Sequence, residues 1–261
     1  MVYFYDYFAK GYRGARKGEL PLALAALSGG IGPGYVQGCR LVLKNAYANY
    51  RTGRNQEALE RLLGEYREYV SSSHDRQAKD RYNAFVYRHM LGVPVGSRAI
   101  AAKLGVAKET VLNYVNRCLD EMLVLCMGVP AAGRPPAGGE AVIRMLVDGN
   151  RIFASMAGDY ALCLFPGQRE RAAVEQGRHA TIQIMGQLAE AVEAYSGYCY
   201  DGYPRIDTEI RKVETLRKCI AGVPPAAIAE EYGCCQSTVY ADIRENERRL
   251  AAMLFGTGEG G

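Results

Sequence analysis

The chain has 261 residues, 49% hydrophobic and 23% charged, with 32 basic and 28 acidic side chains and a net charge of +4. That composition excludes a disordered or fibrous chain, and the length is enough to bury a real core in one large or two ordinary domains. The mild positive excess fits a polyanionic partner and sits towards the N-terminus: residues 1–73 carry 10 basic and 6 acidic side chains, residues 205–261 carry 8 and 9.

Residues 1–18 are aromatic and basic, with Tyr3, Phe4, Tyr5, Tyr7, Phe8 and Tyr12 ahead of Arg13, Arg16 and Lys17. Two readings stay open there: stacking on nucleic acid, or a helix packing its rings onto the body. Glu19–Leu27 reads as a short helix and 28–34 as a loop. The loop contains G-x-G-x-G, but no strand precedes it, so the context for phosphate cradling is missing. Tyr35–Tyr50 and Asn55–Val70 read as a helical hairpin turning at Thr52-Gly53. Val36, Leu43, Ala46 and Tyr50 form one apolar face, Ala58, Leu62 and Tyr69 another, and Glu57 and Arg61 are spaced to pair.

After Ser71-Ser72-Ser73, where Ser73 or Asp75 can cap, a helix runs over 74–91 with Tyr82, Phe85, Val86 and Met90 inward. Gly92-Val93-Pro94 stops it. Ser97 then caps a short helix, Gly105 turns, and a long helix continues to about Met127. Gly128 to Gly139 is the clearest linker. Two more helices are expected over 140–163 and 168–196, with apolar faces that include Val142 and Leu146, and Ile182, Leu188 and Tyr195. A tyrosine-rich connection follows over Ser196–Pro204. Asp207–Ile220 precedes a second short helix, with Ile210, Val213, Leu216 and Ile220 inward, and the tail Gly256–Gly261 reads as frayed. No stretch alternates with period 2, so the fold class is all-α.

The phrase Ile100-Ala101-x-x-x-Gly105 … Thr110-Val111 returns without a gap as Ile228-Ala229-x-x-x-Gly233 … Thr238-Val239, an offset of 128. It has the requirements of a helix-turn-helix. Ala101 and Ala229 are small where two helices cross, and Gly105 and Gly233 permit a left-handed backbone. Val111, Val115, Cys118, Leu119 and Met122, and in the second copy Val239, Ile243, Leu250 and Met253, plug one face inward. The opposite face can then lie in a DNA major groove about 12 Å wide. It offers Lys108, Glu109, Leu112, Asn113, Asn116 and Arg117 in the first copy and Gln236, Ser237, Tyr240, Arg244 and Arg248 in the second. Arg98, at the start of the first short helix, is placed for a phosphate. The same pattern can arise in a helical hairpin with no DNA partner, and the second, gapless copy favours the DNA reading. Asp242, Glu245 and Glu247 set negative charge on or near the second reading helix, so its partner is DNA or protein. Ala107 and Cys235 stand where Ser or Thr often caps, and a missing cap costs about 1 kcal/mol.

The expected organisation is two helix-turn-helix units joined by helical hairpins: 1–73 an N-terminal helical region, 74–128 the first unit, 129–139 a linker, 140–204 a helical spacer, 205–257 the second unit. The eight cysteines include no CxxC, and His74, His89 and His179 are scattered, so neither a zinc site nor a disulfide framework is expected. No Walker loop, paired-carboxylate motif or His/Cys/Asp cluster points to an enzyme or a cofactor. No signal layout or apolar run of ~20 residues is present, so a cytoplasmic protein off the membrane is expected.

Around 80–128 and 207–257 the chain resembles the −35-reading, region-4-like C-terminal domain of bacterial sigma factors: a preceding helix, a Gly-Val-Pro break, the I-A-x-x-x-G core and a long final helix. The endings Met122–Gly128 and Leu250–Gly256 resemble the late-operon transcription activators of Gram-positive phages and prophages, the ArpU- and RinA-like proteins. The resemblance implies a sequence-specific, double-stranded DNA-binding regulator of phage or mobile-element type that touches RNA polymerase or another host complex. Two further roles use the same fold. One is a phage-encoded inhibitor or adaptor on a host nucleoprotein complex, and the other is a DNA-packaging small subunit. The DNA site, the sign of regulation and the oligomeric state are left open.

Overall fold

A computed structural model of the chain describes residues 33–53, 55–72, 77–128, 139–154, 157–202, 206–221 and 223–255. The aromatic–basic N-terminus, the helix at Glu19–Leu27, most of the glycine loop, the Ser73 and Asp75 caps, the interior of the linker and the tail lie outside the described residues. The described chain is all-α: α1 (Pro33–Ala48), α2 (Gln56–Ser72), α3 (Ala78–His89), α4 (Ser97–Leu104), α5 (Lys108–Met127), α6 (Gly139–Ala154), a 3-10 helix (Asp159–Leu164), α7 (Gln168–Gly202), α8 (Ile206–Ile220), α9 (Pro225–Glu231) and α10 (Gln236–Phe255). No described helix is long and apolar enough to cross a membrane.

The helices form two compact units interleaved in sequence. The first comprises α1–α5, the 3-10 helix and the first turns of α7. Here α3 packs on α5, α4 bridges α3 and α5, and α1 and α2 cover the rest of α5. Its core is Cys39, Leu43 and Tyr47 from α1, Leu59, Leu62 and Tyr66 from α2, Phe85 from α3, and Val111, Cys118, Leu119 and Met122 from α5. The rings of Tyr47 and Phe85 meet edge-on at 4.8 Å, an arrangement that adds to their area burial. The second unit comprises α6, the remainder of α7, and α8–α10. There α10 packs on α6, α8 and α9, burying Val142, Leu146, Leu188, Val192, Val213, Leu216, Ile243, Leu250 and Met253.

Several expectations shift. Pro33 and Gly34, read as the end of a loop, open α1. The helix expected over 140–163 is instead α6 and a separate 3-10 helix. The expected connection at 196–204 is helical through Gly202, because Tyr195, Ser196 and Cys199 extend the buried face of α7 by another turn and Ser196 Oγ donates to the Val192 carbonyl at 2.7 Å. Ile182 is 67% exposed, because α7 turns Thr181 and Ile184 inward instead. Ile210 also faces out: α8 buries Glu209, Val213, Leu216 and Cys219, the glutamate being held by Lys212 and Arg249. Arg61 pairs with Glu65 rather than Glu57 and stacks over the Tyr160 ring at 4.2 Å. Ser97 is the first helical residue of α4, and the extended Gly96 holds the cap position.

Candidate nucleic-acid interface

The repeated phrase folds alike in both places. Ile100 and Ile228 are fully buried, Ala101 and Ala229 are buried at 8% and 5% exposure, and Val111 and Val239 are each 1% exposed. Gly105 and Gly233 adopt φ of 67° and 60°. The turns close with the same bond, Val106 N–H to the Ala101 carbonyl at 3.1 Å and Cys234 N–H to the Ala229 carbonyl at 2.9 Å. This six-to-one bond satisfies an orphan carbonyl at the end of each short helix. The pattern of small residue, glycine and β-branched residue thus fixes one local geometry twice.

The starts of the long helices differ. Ala107 is extended and offers no side-chain cap to α5. In the second copy the Cys235 sulfur lies 2.9 Å from Ser237 Oγ and 3.1 Å from Thr238 Oγ1. Hydrogen bonds from Ser237 and then Thr238 pull this exposed thiol down to about 7. The Thr238 backbone N–H at the start of α10 also lowers it.

Along the outward face of α5, Lys108, Glu109, Leu112 and Asn113 are exposed, and the three polar ones make no hydrogen bond or ion pair with another described residue. Arg98 on α4 is exposed and equally unengaged. One turn further on, the face is partly occupied. Asn116 Oδ1 accepts from Arg40 of α1 at 3.3 Å, and Arg40 also pairs with Asp120. Arg117 pairs with Glu121 at 3.2 Å. The open groups therefore concentrate in the first two turns of α5. Sequence reasoning missed both Arg40, whose helix gives no hint of meeting α5, and the burial of Arg81 beneath Glu121.

On α10, Gln236, Ser237, Arg244 and Arg248 are exposed and Tyr240 is half-buried. Asp242, Glu245 and Glu247 do not face outward with them. Asp242 is 5% and Glu247 2% exposed, and each acidic side chain is met by a cation from within the unit: Arg211 on Asp242 at 3.1 Å, Arg144 on Glu247 at 3.2 Å, Lys212 on Glu245 at 2.9 Å. Burial raises the Glu245 carboxyl, but the Lys212 hydrogen bond and the nearby Arg249, Lys212 and Arg248 charges outweigh it and hold it below its usual value. The expected repulsion of phosphate by α10 thus loses its source. The signal was present in the spacing, since Asp242, Asn246 and Glu247 share the 3.6-residue period of Val239, Ile243 and Leu250.

Among the described residues no group of three or more His, Cys, Asp or Glu side chains could hold a metal ion. No family model, curated protein or solved structure matches the chain.

Proposed function

We propose that the protein is a sequence-specific double-stranded DNA-binding regulator whose principal reader is the first half of α5. The observation that supports this reading is the open face holding Lys108, Glu109, Leu112 and Asn113, presented by a helix that follows a left-handed glycine turn. Lysine and asparagine offer hydrogen bonds to base edges, Glu109 can accept from cytosine N4, and Leu112 can meet a thymine methyl. Arg98 supplies a phosphate contact that sets register without reading sequence. The resemblance to phage late-operon regulators and to the −35-reading sigma domain extends this to control of transcription from a phage or mobile-element promoter.

The test is selection of bound duplexes from a randomised pool with the full chain, followed by anisotropy titration of the winning sequence. Lys108→Ala with Asn113→Ala should cost about 1–3 kcal/mol for each lost base contact and flatten the sequence preference. Recovery of no common motif, or unaltered preference in the double variant, would remove α5 from the role.

A further inference from the structure

α10 keeps the backbone of the first copy but changes what lies beneath it. At the offset of 128, the buried Cys118 and Leu119 of α5 become Asn246 and Glu247 in α10, and both stay buried. The Tyr195 hydroxyl donates to Asn246 Oδ1 at 2.7 Å, and the Asn246 amide donates to the carbonyls of Lys212 and Asp242. Around it Arg144, Arg211, Lys212 and Arg249 meet Glu209, Asp242, Glu245 and Glu247, and Arg144 also holds the exposed Glu140. The inner face therefore contains every acidic residue of α10, each met by a cation.

What remains outward is Gln236, Ser237, Ala241, Arg244 and Arg248, all exposed. Arg244 and Arg248 form no hydrogen bond or ion pair with a described residue, although Arg248 is near enough to Glu245 to help hold it ionised. They stand one turn apart, about 6 Å along the axis. On the adjoining α9, Glu230 and Glu231 are exposed, with Glu231 held by Lys218. The α10 face itself carries cations and no anion, the charge complement of a phosphate backbone. The α5 face carries Lys108 and Glu109 side by side and suits bases better than phosphates.

We infer that the outward face of α10 is a second duplex-DNA-binding surface that grips the phosphate backbone through Arg244 and Arg248, while α5 reads sequence. The inference rests on the reading of the protein as a duplex-binding regulator. One chain would thereby hold DNA at two points, and the second would add affinity with little sequence preference.

The experiment is anisotropy titration of the full chain on a random-sequence duplex of about 30 base pairs, from 50 to 200 mM salt, for wild type and Arg244→Gln/Arg248→Gln. Loss of two phosphate contacts should lower the slope of log affinity against log salt by about 2, so the fall in affinity across that range shrinks by about tenfold. The same double variant should weaken random and selected duplexes by equal factors. Because both side chains are exposed and form no ion pair or hydrogen bond with a described residue, its thermal melt should match wild type, which separates lost contact from lost fold. An unchanged slope with wild type still binding duplex would overturn this surface and leave the α5 reading standing. Absence of duplex binding by wild type at 50 mM salt would overturn both.

Discussion

The Arg81 guanidinium lies 3.0 Å from the Glu121 carboxylate beneath the first glycine-turned pair, with the two side chains 2% and 13% exposed. Glu121 also accepts from the Tyr66 hydroxyl at 2.5 Å and from Arg117 at 3.2 Å, so one carboxylate ties α2, α3 and α5 together. Removing it takes a carboxylate away from a buried guanidinium. Glu121→Ala should lower stability by about 3–5 kcal/mol in urea denaturation. Arg81→Met/Glu121→Leu should recover most of that loss, since an apolar pair of similar volume avoids the buried charge. Failure of the double variant to recover would mean that Tyr66 and Arg117, not Arg81, set the cost.

Gly105 sits at φ 67° with open space where a Cβ would point. Its substitution therefore isolates backbone strain from steric clash. Gly105→Ala should cost about 1–2 kcal/mol, with Gly233→Ala costing a similar amount in the second unit. A loss below about 0.5 kcal/mol by chemical denaturation would show that the turn relaxes to another backbone conformation.

Glu247 is buried against Arg144 at 3.2 Å. Glu247→Gln should reduce stability by about 1–2 kcal/mol, because a hydrogen bond between charged groups becomes a weaker neutral one. Duplex affinity should stay within twofold of wild type, since the carboxylate is buried and does not face outward with Arg244 and Arg248. A marked gain in affinity on titration would place Glu247 outward.

His89 packs against the rings of Phe85 and Tyr47 at 4.8 and 6.5 Å. Burial, then the Arg88 and Lys44 charges, push its imidazole down to about 4 from an ordinary 6.5. The unfolded chain therefore binds the proton more tightly between those values, and the native state gains stability as pH rises through them. Its contribution is complete above about pH 6.5 and is lost as pH falls to 4. After allowance for the solvated side of the ring it amounts to about 2 kcal/mol. His89→Phe should flatten the denaturation midpoint between pH 4 and 6.5, and an unchanged pH profile would assign the dependence to other groups.

Cys235 is exposed and pulled down to about 7 by the Ser237 and Thr238 hydrogen bonds, whereas burial pushes the Cys39, Cys118, Cys126 and Cys199 thiols up. Iodoacetamide should alkylate Cys235 before those four, with a rate midpoint near pH 7 by mass spectrometry. Ser237→Ala with Thr238→Val should shift that midpoint upward. A midpoint unmoved by the pair would show that the helix terminus alone sets the thiol.

Both glycine turns could be read from the chain because each rests on local chemistry, whereas several helix ends, such as that of α7 at Gly202, were set by packing. Ala101 and Gly105 need only their neighbours to specify a short helix and a left-handed stop, and the same holds for Ala229 and Gly233. Apolar periodicity likewise placed Val111, Cys118 and Met122, and Val239, Ile243 and Leu250, on buried faces. Which charges remain available to a partner was decided by tertiary structure. Asp242 and Glu247 differ from Arg244 and Arg248 by a few positions of one helix, yet the first two are neutralised by Arg211 and Arg144, brought to them by α8 and α6. Arg40 reaches Asn116 from 76 residues away, and Arg81 reaches Glu121 through the core. Charge along a sequence is a sum. Charge at a surface depends on which helix packs where, and a partner responds only to the surface.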